Sequence, residues 1–268
     1  MSVESKETTE ATKDLLVTTE DGVMQLVLNR PDALNAFSPA MINGLKQSLK
    51  QAQSDEAIKV IVLRGAGRAF SAGGDVKTMG EATPVDVYDH IGELNQLIEQ
   101  MRSVEKPIIA AVHGFAAGAG FNLALACDLI VAAEDTSFIL SFAQVGLVSD
   151  GGGHYFLPKS LTPYQAKELL FSAEPLDART AQSWGLVNKV FPLDQMEKKV
   201  SEYAYSFTLR PTKALGLMKR LTNAADTNSL PEILEAERAT QAMMITTKDH
   251  QEGVLAFKEK RKPNFKGN

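Results

Sequence analysis

The strongest constraint on the fold is a change of hydrophobic period that repeats along the chain. Residues 23–28 (VMQLVL) and 60–63 (VIVL) are short, apolar and rich in β-branched side chains, whereas residues 39–53 between them place apolar residues at helical spacing. This reads as strand, helix, strand. The alternation returns with a strand over 107–112, a turn of small residues, a helix over 119–127 and a strand over 129–133, with a further short strand at 137–141. Strands separated by a helical crossover pair in parallel, so the chain is expected to be α/β, with a partly parallel sheet and helices packed on it. From about Pro163 the strand signals fade. Segments 164–173, 177–185, 193–207, 212–223 and 231–246 suit helices, punctuated by Pro163, Pro175, Pro192, Pro211 and Pro231. The expected organisation is a disordered tail over 1–13, a core domain over 14–205 and a helical region over 206–268.

A chain of 268 residues, 44% of them hydrophobic, can bury a large core. Its 28 Lys and Arg against 33 Asp and Glu leave a net charge of -5, which disfavours nucleic acid or an anionic membrane as partner. Cys127 is the single cysteine, so an intrachain disulfide and a cysteine-based zinc site are excluded. His90 and His113 lack metal-binding spacing, and no metal is expected. Residues 1–13 are polar and mixed in charge, without the apolar segment of a signal peptide, and the apolar run 123–133 is broken by Asp128 and too short to span a bilayer. The expected address is the cytoplasm.

Two turns share a chemical character, FSAGGD at 70–75 and GFAAGAG at 114–120. Residues this small let a ligand approach the backbone, and the second turn opens a helix whose first amides have no partner of their own. Together they can grip one developing negative oxygen. Alone, either turn serves equally well for close packing. Neither is a phosphate loop, because no Gly-Lys-Ser or Gly-Lys-Thr follows. A third stretch, GLVSDGGG at 146–153, places Asp150 before three glycines, where an acid can serve as a helix N-cap or as a placed acid or base.

With LNRPDALNAF (28–37), RAFSAGGDVK (68–77), KPIIAAVHGFAAGAGFNLALACDLIVAAED (106–135), GLVSDGGG and EGVLAFKEKRKPNF (252–265), the chain resembles the crotonase, or enoyl-CoA hydratase and isomerase, superfamily in the order and spacing of five motifs. The match covers nearly everything after residue 14. The resemblance implies a spiral of β-β-α units followed by a helical trimerisation region. It implies an acyl-CoA substrate, coenzyme A entering as part of the thioester with no separate cofactor, and a homo-oligomer that is a trimer or a dimer of trimers. The oxyanion amides fall on Gly74 and Ala119. Leu34, Ala69 and Ala72 line the CoA groove, with Asp75, Gly118 and Phe142 beside them. Lys77 meets the CoA phosphates or is a solvated lysine, and Phe257 and Lys260 close over the adenine end or simply pack as a helical pair.

The chain departs from the two-glutamate hydratases of that superfamily, carrying Phe142 and Asn122 where they carry carboxylates. An amide and a phenyl ring can neither activate water nor deliver a proton. Asp150 falls where isomerase branches place a catalytic acid, including the ring-epoxide isomerase of phenylacetate breakdown. The leading expectation is an enoyl-CoA isomerase with Asp150 as proton shuttle. The rivals are a hydratase, another enolate reaction such as thioester hydrolysis, and a non-catalytic acyl-CoA-binding homologue. The glycine-rich helix start should stabilise the Asp150 anion while apolar neighbours destabilise it. Ser149 can take the capping role in its place. His154, Asp89 and Glu93 are weaker candidates, better read as packing or solvated helix residues. Asp128 is expected to satisfy backbone or an intersubunit partner, and His113 to make a structural hydrogen bond at a strand end.

Overall fold

The computed structural model describes residues 12–75 and 82–268. The tail call on residues 1–13 therefore lies almost wholly outside the described residues, as does Lys77.

A hairpin of β1 (Leu15–Glu20) and β2 (Val23–Leu28) opens the chain, and α1 (Pro39–Ser54) carries it to β3 (Val60–Gly65), parallel to β2. Next come α2 (Pro84–Ser103), β4 (Ile108–Val112), β5 (Phe115–Ala117), α3 (Ala119–Leu125), β6 (Leu129–Ala133) and β7 (Ser137–Ile139). Then α4 (Gly153–Ser160), α5 (Pro163–Ser172), β8 (Leu176–Asp177), α6 (Ala178–Ser183) and β9 (Lys189–Phe191) complete the sheets. The chain ends in α7 (Met196–Thr208), α8 (Thr212–Ala224), α9 (Leu230–Met244) and α10 (Lys248–Glu259).

The large sheet has the order β1-β2-β3-β4-β6-β9, parallel throughout except for the β1–β2 hairpin, and the small sheet has the order β5-β7-β8. Each winding step gives a strand to the large sheet and a short extended piece to the small one, then a helix. β4, β5 and α3 form one such step. β3, the Ser71 bridge to Ala116 and α2 form the one before it. This is the spiral of β-β-α units that the resemblance implies, followed by C-terminal helices.

Both faces of the parallel sheet are covered, which explains why its strands read as continuous apolar runs. Ile61, Leu63, Ile108, Ala110, Val112, Ile130 and Ala132 point into the main core with Met41, Leu45, Leu97 and Phe121 from the helices. Val60, Val62, Ile109, Ala111, Val131 and Ala133 face the other way, onto Met196, Val200 and Ala204 of α7.

Two expectations need correction. Strand signals were expected to fade after Pro163, yet β8 and β9 both lie there. At two and three residues they are too short to show a period, and β9 exists because β6 offers it an edge, with Val131 opposite Lys189 and Ala133 opposite Phe191. The expected small-residue turn at 114–120 contains β5, which pairs in parallel with β7. Asp128 behaves as expected, accepting the Ile108 N–H at 2.7 Å and pairing with Lys219 Nζ at 2.8 Å. His113 also does, its ring Nε2 lying 2.8 Å from the Gly67 carbonyl.

Asn35 holds the loops that lead to the site. Fully buried, it accepts the Arg30 N–H at 2.9 Å and donates to the carbonyls of Ala66 and Ala69, both at 2.8 Å. Asn35→Ala should orphan these backbone groups and cost about 2 kcal/mol, lowering Tm by about 4–8 °C in a scanning calorimetry comparison.

Candidate active site

The two glycine turns meet. Ala117 N–H donates to the Ser71 carbonyl at 2.8 Å, and the Ser71 hydroxyl donates to the Asn35 carbonyl while accepting the Gly73 N–H at 3.1 Å. The chain is thereby folded against the start of α3 so closely that a Cβ on Gly73 would lie 2.7 Å from Ala119 N. From the other side, a Cβ on Gly120 would lie 2.5 Å from the Ser71 carbonyl oxygen. Gly74 follows directly on Gly73, and Ala119 is the first residue of α3, whose N–H has no acceptor within the helix. Two amides from separate turns thus belong to one small area.

Loop 30–37 braces this area. Ala72 N–H donates to the Leu34 carbonyl at 2.8 Å, and Phe37 N–H donates to the Gly73 carbonyl at 2.7 Å. Arg30 reaches the Ala36 carbonyl with one guanidinium nitrogen and Asp75 Oδ2 with another, at 2.7 and 3.2 Å. Asp75 is therefore tied into the far end of the turn. Leu34, Ala69, Ala72, Gly74, Asp75 and Ala119 are brought together, and Gly118 stands beside the Phe142 ring, whose Cζ would be 3.7 Å from a Cβ at that glycine.

Asp150 is joined to the same helix. Asn122, one turn beyond Ala119 and completely buried, donates from Nδ2 to the Asp150 carbonyl at 2.6 Å and to the Ser149 hydroxyl at 2.9 Å. The amide orientation is unambiguous, because the Asp150 carbonyl can only accept. One short helix therefore presents the Ala119 N–H at its first residue and fixes the backbone of Asp150 through its fourth.

The capping reading of Asp150 does not hold. α4 begins at Gly153 with Gly152 as N-cap, and no side chain caps it; two glycines of positive φ, Gly151 and Gly152, carry the chain past the acid first. Ser149 does not cap either, being engaged by Asn122. A side chain at Gly153 would lie 2.3 Å from Ser149 Oγ and 2.8 Å from Asn122 Oδ1, so the third glycine is what lets the amide reach across. Asp150 Oδ1 is buried with no hydrogen-bond partner among the described residues. Burial pushes its carboxyl above the ordinary aspartate range, outweighing the opposing charge of His90 and its own backbone amide. Of the two influences expected on this anion, desolvation prevails.

Other candidates stand outside the cluster. His154 is exposed on α4, where partial burial was expected. Glu93 pairs with Lys46 and Asp89 is exposed, both on α2. Phe257, 86% exposed, lines a cavity of about 650 Å³ among the C-terminal helices that neither Gly74 nor Ala119 lines, and Lys260 forms the left-handed C-cap of α10. Two structural features around Asp150 escaped the sequence reading: Asn122 as the anchor of its backbone, and the packing of α2 against its loop. The helix itself was signalled by Thr83, Pro84 and Asp86, a capping box with proline at its first position. No helix among the described residues is long and apolar enough to cross a membrane, and no group of three or more His, Cys, Asp or Glu among them could hold a metal ion.

The profile of the enoyl-CoA hydratase/isomerase family matches residues 18–268. The 1,2-epoxyphenylacetyl-CoA isomerase of Escherichia coli (strain K12) is 37% identical over 253 residues, spanning 92% of this chain and 96% of that protein. The 2,3-dehydroadipyl-CoA hydratase of the same organism is 35% identical over 258 residues, spanning 95% and 99%. Among solved structures, an enoyl-CoA hydratase from Polaromonas sp. JS666 superposes with a TM-score of 0.90 at 36% identity, covering 94% of this chain and 99% of that one.

Proposed function

The chain belongs to the enoyl-CoA hydratase/isomerase family and has the crotonase fold, and from that premise we propose that it is an acyl-CoA isomerase that moves a carbon double bond through an enolate. The carrying observation is Asp150, a half-buried residue whose carboxyl oxygen Oδ1 is sealed from solvent and whose main-chain carbonyl is anchored to the helix that begins with Ala119, while Asn122 and Phe142 stand where a hydratase needs carboxylates. The thioester oxygen lies between the N–H groups of Gly74 and Ala119. Asp150 takes a proton from the α carbon of a 3-enoyl thioester, negative charge collects on the thioester oxygen, and the proton returns to the γ carbon, the far end of the original double bond, as the new double bond forms between the α and β carbons. Nothing is lost or gained overall. The amides act where charge develops, each well-aimed donor contributing about 3–4 kcal/mol to the barrier reduction.

Leu34, Ala69, Ala72 and Asp75 form the CoA side of this site, with Lys77, Phe257 and Lys260 toward the phosphates and adenine. The protein acts as a homo-oligomer, a reading supported by the apolar residues exposed on its last helices, among them Leu230, Leu234 and Ile245. The relative named as an isomerase supports the assignment, whereas the hydratase relative leaves water addition as the competing reading.

The test offers 3-enoyl-CoA and 2-enoyl-CoA esters of graded chain length and follows migration, hydration and α/γ proton exchange together. Migration should exceed hydration by at least about 100-fold, the usual scale of a missing acid-base group. The reverse order would sink the proposal. The ionised carboxylate is the active form, so the rate should fall as pH drops through the raised titration of Asp150, with an acid limb above the aspartate reference of about 3.9.

A further inference from the structure

On the face of the large sheet that α7 covers, Val60 and Val62 of β3 pack toward Met196 and Val200, and Arg64, two residues on, points the same way. Beyond the covered stretch this face holds a cavity of about 660 Å³, with Arg64 in its floor. The pairing register sets Arg64 in one cross-strand row with Leu16, Val27 and Ala111, all apolar and all lining the cavity. A cation is thus placed among hydrocarbon. Arg64 is half-buried, its Nε is sealed from water without an acceptor, and its guanidinium makes no hydrogen bond or ion pair with any described residue. A buried donor left unmet costs free energy, and folded chains leave few of them. Two carboxylates line the same cavity without pairing with Arg64. Glu20 lies four residues along β1 from Leu16, about 13 Å down the ladder, and Glu197 is exposed on the first turn of α7. Thr18 and Gln25, directly opposite each other, add neutral donors, while His113 is engaged with the Gly67 carbonyl.

We propose that this cavity is a second ligand site that takes an aliphatic monocarboxylate, its carboxylate on the Arg64 guanidinium and its hydrocarbon against Leu16, Val27, Met196 and Val200. The site is separate from the acyl-CoA site, since none of Gly74, Ala119 and Asp150 lines it. The two terminal nitrogens of Arg64 form a planar fork that matches a carboxylate through two parallel hydrogen bonds. The walls decide against a phosphate. Apolar side chains cannot solvate a second negative charge, and Glu20 and Glu197 at the rim repel one. The volume lies within the range that a small organic ligand fills.

Octanoate is the probe, with octanol and inorganic phosphate as comparisons, each titrated calorimetrically into the full chain with and without saturating coenzyme A. Octanoate should bind in both cases and raise the thermal midpoint. Octanol, of equal length, and phosphate should bind at least about tenfold more weakly, the scale of one charge-assisted hydrogen bond. Arg64→Gln should weaken octanoate by at least the same factor, its melt without ligand reporting that the fold is kept. Should that variant not fold, the wild-type protein decides alone: the Arg64 Nε–H resonance, assigned by its loss in Arg64→Lys, should shift with octanoate and stay in place with octanol. Octanol bound as tightly as octanoate would make the cavity an apolar patch, and phosphate bound as tightly would make it a general anion patch; either result overturns the proposal. Octanoate binding that is unchanged in a folded Arg64→Gln, or that coenzyme A abolishes, overturns it as well.

Discussion

Asp150→Asn should abolish isomerisation and raise the thermal stability of the protein in the same step. Asparagine preserves the shape of the side chain and the backbone bond to Asn122, yet it cannot carry a proton between two carbons. A loss of about 10²–10⁴ in kcat is expected, the range for a removed acid-base group, with CoA-ester binding retained. The stability gain has a separate origin. Burial raises the Asp150 carboxyl above its unfolded value, so between those two values the folded chain holds more protons than the unfolded one. Stability therefore falls as pH rises through that window, and the cost persists at neutral pH. The amide has no charge to desolvate. Tm should rise by about 2–4 °C at pH 7, corresponding to about 1 kcal/mol, and the difference should vanish below about pH 4. Isomerisation that survives the substitution would eliminate Asp150 as the shuttle; a Tm that falls would mean the carboxylate has partners that stabilise it.

Much of this was legible in the sequence, and what was not has identifiable causes. The strands at 23–28, 60–63, 107–112 and 129–133 stood out because a doubly covered parallel sheet needs unbroken apolar runs. The helices at 39–53, 164–173 and 212–223 stood out through their period and their proline starts, as Pro39 at the first turn of α1 shows. β8 and β9 left no such trace, since pairing across the fold makes them strands. Asp150 could be singled out from its motif. Its freedom from capping could not, because that depends on two left-handed glycines displacing the helix start to Gly153. Asn122 read only as a missing carboxylate. Its role as anchor appears once α3 lies beside residues 149–150, a proximity between positions nearly 30 residues apart.

Gly73→Ala should cost about 10²–10³ in kcat, the effect of losing one oxyanion donor, while the fold survives. One methyl group suffices because of what it meets. Its carbon would lie 2.7 Å from the Ala117 carbonyl oxygen and from Ala119 N, and 2.9 Å from Gly120 N, all backbone atoms of the turn that opens α3. Backbone cannot rotate aside as a side chain can, so the turns must part. The residue also sits at φ 79°, a left-handed conformation that costs an alanine about 1–2 kcal/mol. Parting the turns withdraws Gly74 from Ala119, and two amides that no longer converge cannot share one oxygen. Gly120→Ala approaches the same junction from the opposite side, meeting the Ser71 carbonyl oxygen at 2.5 Å, and should produce the same kinetic defect without a left-handed residue. Gly92→Ala is the control, because a Cβ there meets nothing within 4 Å and its place inside α2 favours alanine by about 0.5–1 kcal/mol. Steady-state kinetics with thermal melts across the three variants separates the causes. If Gly73→Ala and Gly120→Ala keep kcat within tenfold of wild type, the meeting of the two turns is packing, and the thioester oxygen must be held elsewhere.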